Sequence, residues 1–211
     1  MFENLWFIIK QVFSVFSLAI TSSYTVCILS KYPFYNPKLT QKQLIDNLVD
    51  SSFNLGIIGL EVILSASLYY PYMDSGNHTF IRTFSNIIEY SFWIELFYYS
   101  YHRFLHTTNW YSIIHLKHHI NLDVYPLDTL SISILDSTGM IVTLIAPIWF
   151  VDVNLAEYSF IMYIYLTGAF LSHSKLLSFR HVNHHKKFKC NFCFLFPIFD
   201  YACGTLDTRV E

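Results

Sequence analysis

Ten histidines occur in the 211 residues, and nine of them fall between His102 and His185. Their spacing is regular. His102 and His106 form H-x3-H. His115, His118 and His119 form H-x2-H-H, and His181, His184 and His185 repeat that pattern, with His173 standing alone ahead of it. On a helix, residues three and four apart share a face, with their Cβ atoms about 5–6 Å apart, so each group can aim two or three imidazoles at one point. Neutral imidazole is a ligand for iron, zinc and copper. Eight clustered histidines exceed the three or four ligands of a single zinc ion. Eight or nine nitrogens are enough for two metals that keep open positions for dioxygen, so the count argues for a pair. The tenth histidine, His78, reads as an interfacial or hydrogen-bonded residue. The zinc-protease pattern H-E-x-x-H is absent, which counts against a hydrolase.

The elements that must position these groups are apolar. Hydrophobic residues make up 54% of the chain and charged residues 13%, about half the charge of an ordinary soluble domain. Lipid-facing surface accounts for the deficit. Five stretches approach the roughly 20 apolar residues that a bilayer core requires: residues 5–29, 53–70, 84–101, 130–150 and 158–172, the third and fifth short and polar enough to be partly embedded instead. Residues 31–50 read as a polar connector. If all five stretches span, segments 31–50, 102–129 and 173–211 share one side, and that side holds 11 of the 13 Lys and Arg. Such a bias marks the cytoplasmic face. The fourth and fifth stretches then form a hairpin that returns His173 and the last histidine group to the side of the first two. The expected fold is an all-α polytopic membrane protein with about four to five membrane-embedded helices and a cytoplasmic, histidine-rich di-metal site.

Other chemistry is weakly signalled. Cys190 and Cys193 make a lone C-x-x-C, better read as ordinary thiols than as a zinc or redox pair. A net charge of −2 and the lack of a basic run point to no nucleic-acid partner. Asn77-His78-Thr79 fits a glycosylation acceptor on the side opposite the histidines. The N-terminal apolar stretch is too long for a cleaved signal peptide.

The run from Glu95 through Tyr99, His102, Arg103 and His106 resembles the first histidine box of the fatty acid hydroxylase/sterol desaturase superfamily. His115 to His119 is similar to its second box. His181 to His185, followed by Asn191, Phe192, Asp200, Gly204 and Thr205, is similar to its third box and tail, and His173 to the single histidine upstream of it. Cys193 stands where that family usually has glycine. The eight-residue gap between the first two boxes sets the chain apart from acyl-CoA desaturases, which place a span there. The resemblance implies a catalytic domain over residues 84–207, N-terminal membrane helices and connector in 1–83, and a tail at 208–211.

It further implies that His102, His106, His115, His118, His119, His181, His184 and His185, with His173 as a ninth, ligate two iron ions. Glu95 then orients a ligand imidazole, and Asp200 supports the site or caps a turn. By this resemblance the protein hydroxylates or desaturates a lipid, of sterol or fatty acyl class, using O2. Electrons come from an external donor such as cytochrome b5 or a reductase, and the setting in a eukaryote is the endoplasmic reticulum membrane. Lys186, Lys187 and Lys189 could meet an acidic donor or anionic headgroups, though the positive bias of a cytoplasmic face explains them as well. The alternative is a non-catalytic metal-binding membrane protein derived from this family.

Overall fold

The computed structural model describes residues 2–177 and 179–209. Met1, Ser178, Val210 and Glu211, the last two belonging to the expected 208–211 tail, lie outside the described residues. Among the described residues seven α-helices follow one another: α1 (Phe2–Leu29), α2 (Gln41–Tyr69), α3 (Phe80–Thr107), α4 (Ile134–Ile145), α5 (Leu155–Ser172), α6 (Phe179–Lys187) and α7 (Ile198–Ala202). No strand occurs among the described residues.

Helix boundaries follow local chemistry. Beyond α1 the chain turns through Lys31 at φ 53°, and Pro33 and Pro37 prevent the helix from resuming in the connector. Thr40 and Gln43 form a capping box at the start of α2, as Asn154 and Glu157 do for α5. Two helical segments, Leu5–Leu29 and Gln41–Tyr72, are long and apolar enough to cross a membrane. Both turn large apolar side chains outward, among them Phe13, Leu18 and Ile28 on α1 and Leu60, Leu64 and Leu68 on α2. The stretch expected at 84–101 is part of a longer helix, since α3 continues unbroken through the H-x3-H group.

The stretch expected at 130–150 differs more. Its α-helical part is 12 residues, about 18 Å at 1.5 Å per residue, and it ends in a 3-10 turn over Ala146–Trp149. Pro147 lacks the N–H that another α-turn would use. The hairpin geometry is present all the same. α4 starts at the histidine end, and α5 starts at the other end and returns.

Those two helices and α3 enclose the core of Tyr90, Ile94, Leu144, Ile148, Tyr158, Ile161 and Tyr165, with Tyr69 of α2 beside it. Buried tyrosine hydroxyls need partners. Tyr90 donates to the Leu144 carbonyl (3.0 Å) and Tyr69 to the Tyr158 hydroxyl (2.9 Å). Glu61, in the second half of α2, accepts from the Ser137 and Thr138 hydroxyls of α4 at 2.7 and 2.6 Å, which satisfies an acid that would be costly in an apolar layer. At the end away from the other nine histidines, the buried His78 ring lies between Asp74 (3.0 Å) and Glu157 (2.8 Å), tying the loop before α3 to the first turn of α5.

Candidate metal centre

All nine histidines between His102 and His185 converge at one end of the bundle. They sort into two groups, His102, His106, His115, His119 and His184 in one and His118, His173, His181 and His185 in the other. Within each group the offered nitrogens lie within 4.8 Å of one another. The H-x2-H-H patterns straddle both groups instead of each serving one point. His115 and His119 face the first group and His118 the second, while His181 and His185 face the second and His184 the first. One residue turns a side chain by about 100° around a helix, so the i and i+4 positions stay together and i+3 is free to serve the neighbouring point. The groups share a wall in which the His119 and His185 ring centroids are 4.4 Å apart.

The outer nitrogens reveal what the inner ones carry. His102 Nδ1 donates to the Phe192 carbonyl (2.9 Å), His115 Nδ1 to Asp136 Oδ2 (2.6 Å), His118 Nδ1 to the Ser131 carbonyl (3.3 Å), His173 Nδ1 to the Ala169 carbonyl (2.9 Å) and His184 Nδ1 to the Cys190 carbonyl (2.7 Å). A neutral imidazole has one N–H, so each of these rings turns an unprotonated Nε2 inward. Yet His102 Nε2 lies 3.0 Å from His115 Nε2, and His118 Nε2 lies 3.3 Å from His173 Nε2. Two lone pairs facing each other at that distance repel unless a cation sits against both. His106 Nε2 is also buried without a hydrogen-bond partner. The donor set therefore fits metal ions in both groups.

Charge works in the same direction. Burial first, and neighbouring imidazoles second, hold His118, His181 and His185 far below the ordinary histidine value, and burial brings His173 down to about 4. These rings are neutral at physiological pH, as metal ligation requires.

Several local features set the rings. Tyr111–His115 is a single π-helical turn closed by Leu116 N–H to the Tyr111 carbonyl (2.8 Å), an irregularity common at functional sites. Phe188 at φ 62° is strained for a bulky residue. It terminates α6 with its N–H on the His184 carbonyl (2.8 Å) and lays its ring 5.0 Å from that of His119.

Glu95 requires a correction. Its buried carboxylate touches no imidazole. It accepts from the backbone N–H groups of Phe194 (2.8 Å), Leu195 (2.8 Å) and Phe196 (3.0 Å) and from the Tyr165 hydroxyl (3.1 Å). Glu95 thus anchors the loop after α6, and that loop supplies the Phe192 and Cys190 carbonyls that hold His102 and His184. Asp200 fastens the same loop by accepting from the N–H groups of Phe192 (2.8 Å) and Cys193 (2.9 Å), and Thr205 donates to it (2.8 Å).

The carboxylate that does hold an imidazole of the metal groups is Asp136, which sequence reasoning missed. Its signal was an acid inside the apolar run at 130–150. Tyr101 donates to its other oxygen (3.2 Å), and a Cβ at position 139 would collide with the Tyr101 ring, so Gly139 is required there. Cys190 and Cys193 are buried free thiols, and burial pushes Cys190 up to about 11. Neither belongs to a metal group.

A sequence model of the fatty acid hydroxylase family matches residues 87–205. The chain belongs to the fatty acid hydroxylase family. Within the wider fatty acid hydroxylase/sterol desaturase superfamily, the matched segment contains both histidine groups together with Glu95, Asp136 and Asp200. No curated protein and no solved structure matches the chain. Two apolar helices of spanning length and membership of a family of membrane enzymes indicate a membrane protein of oxidoreductase type with a metal cofactor.

Proposed function

We propose that this fatty acid hydroxylase family member is a di-iron lipid hydroxylase or desaturase. The carrying observation is the inward set of buried, unprotonated imidazole nitrogens in two adjacent groups. Five histidines would hold one iron and four the other, a supply matched to two ions and too large for one. When bound and reduced, the iron pair supplies the activation of dioxygen for attack on an unactivated C–H bond. In hydroxylation one oxygen atom enters the product and the other leaves as water, with two electrons from an external donor and two protons from solvent. Desaturation takes the same two electrons and two protons, removes two hydrogens from the lipid, and both oxygen atoms leave as water.

The chain's own residues orient and shield. Asp136 and the Phe192, Cys190, Ser131 and Ala169 carbonyls fix the ring planes. The Tyr98 ring lies 5.1 Å from that of His102, tilted to it, and meets the Phe194 ring edge-on at 4.5 Å, which places an apolar wall on that side. We read the residue stretches 5–29, 53–70, 84–101, 130–150 and 158–172 as the membrane layer, with α4 and its 3-10 turn forming the fourth crossing. The histidine end then faces the cytoplasm, consistent with its share of Lys and Arg, in the endoplasmic reticulum if the source is eukaryotic. Residues 84–207 form the catalytic unit and 1–83 its membrane helices. Exposed Lys186 and Lys189 flank the site and suit an acidic donor of cytochrome b5 or reductase type.

The test is 18O2 labelling in cells expressing wild type or His119→Ala, followed by lipid mass spectrometry. A lipid gaining one 18O, or losing two hydrogens, only with wild type supports the reading. Unchanged lipids from a metal-replete wild type given reductant contradict it.

A further inference from the structure

Two cavities meet at a single residue. The first, about 500 Å³, lies against the metal groups and includes His102, His118, Asp136 and His173 in its wall. The second, about 810 Å³ including the space open to its surroundings, lies deeper between α1, α2, α4 and α5. Met140 of α4 is common to both walls. One face of α5 runs through the pair. Leu155, Tyr158, Met162 and Leu166 line the deep chamber, and Ala169 and His173 line the metal pocket, at the three- and four-residue intervals of a single helical face.

The deep chamber is almost wholly apolar. Two of its tyrosine hydroxyls, at positions 69 and 158, bond each other, and its other polar wall residues are Gln11, Tyr70 and Ser159. A polar headgroup entering it would lose water without gaining partners. From Leu155 to Leu166 the chamber is about 16 Å long, and from Leu155 to the level of Ala169 the path is about 21 Å, at 1.5 Å per helical residue. A zigzag carbon chain with bonds of about 1.5 Å advances roughly 1.3 Å per carbon, so about sixteen carbons reach from the chamber floor to the metal pocket. The two cavities share one flexible thioether side chain, which can move aside for a single chain.

We propose that this chamber holds one linear hydrocarbon chain, methyl end first, and that Met140 is the positioning residue at the neck through which the chain reaches the metal groups. The proposal rests on the lipid-oxidase reading and makes it specific. The substrate is a long-chain lipid of about sixteen carbons or more, oxidised near its polar end.

The experiment uses detergent-purified full-length protein, stearic acid bearing a diazirine on its terminal carbon, and peptide mass spectrometry after photolysis, with metal per chain measured on the same samples. The wild type should be labelled around Leu155, Tyr158 and Met73. Met140→Trp should cut that labelling at least tenfold with metal content retained, and Met140→Leu should preserve it. Val12→Trp, which fills the chamber from α1, should also abolish it, so the test survives misfolding of the Met140→Trp protein. Labelling confined to the outer, lipid-facing side chains, or unaltered in both tryptophan variants, overturns the proposal while leaving the metal reading intact. Chamber labelling in a protein that binds no metal supports the chamber and rejects the oxidase reading.

Discussion

His115 is held by the shortest of the hydrogen bonds that fix the ring nitrogens, 2.6 Å to Asp136. Carboxylate support of this kind raises ligand basicity and fixes the tautomer, and its loss typically costs 10–100-fold in metal affinity. Asp136→Asn should therefore weaken retention of one ion of the pair by roughly that factor, the ion of the five-histidine group. Metal remaining after graded exposure to a chelator measures it, and loss of both ions in parallel would count against this assignment. At this scale the sequence was informative where chemistry is written in short spacings. The three boxes name eight of the nine histidines because i, i+3 and i+4 are adjacent on a helix, and His173 stands alone ahead of the third box. The division of each H-x2-H-H between two points was not legible, because it depends on how three separate segments meet. Asp136 was equally hidden, since its partner lies 21 residues away and nothing local distinguishes it from any acid in an apolar run. Cys193, in place of the usual glycine, proves harmless to the backbone: the left-handed residues near it are Phe188 and Asn191.

Among the elements, the loop after α6 acts as a template. Asp200 and Glu95 pin it from two helices, and it returns two carbonyls to the histidines. Glu95→Ala would leave three part-buried N–H groups without an acceptor, each costing at the low end of about 1–3 kcal/mol, and so ~3 kcal/mol in all. For a chain of this size that corresponds to a fall of roughly 10 °C in the thermal midpoint, read by thermal unfolding in detergent. A shift of only a degree or two would show that the loop is held by other contacts. The role first assigned to Glu95, on an imidazole, failed because its partners lie 99 to 101 positions away. No local spacing encodes that fold-back.

The opposite end carries a second tie with a pH signature. Hydrogen bonds that the His78 ring donates to Asp74 and Glu157 raise it above 6.5. Burial works against Glu157, but hydrogen bonds from Thr83, Asn86, His78 and the Asn154 backbone outweigh it and lower its value; Asp74 is lowered chiefly by His78. The His78 contribution is complete below pH 6.5 and is lost as pH rises through its raised value. The carboxylate contributions are complete above their ordinary values, near 4, and are lost as pH falls through the lowered ones. The thermal midpoint should thus fall on the alkaline side of neutrality, and His78→Gln should flatten that limb. An unchanged alkaline slope in the variant would contradict the tie.

As a whole molecule, the chain uses five long or composite helices to bring both histidine groups to one end and to leave an apolar chamber behind them. Composition and charge made the helical, apolar architecture and the common side of the histidine groups legible, because both are sums over many residues. The break in the fourth stretch at Pro147 and the chamber behind Met140 were not, because they arise from packing between helices that are distant in sequence. The central claim is that nine histidines hold two irons. The most direct test is metal content per chain in detergent-purified protein, comparing wild type with His118→Ala, which removes one ligand from the four-histidine group. The account predicts about two irons in wild type, falling toward one in a variant that remains folded. One zinc per chain in wild type, or no metal after expression in iron-rich medium, would contradict it.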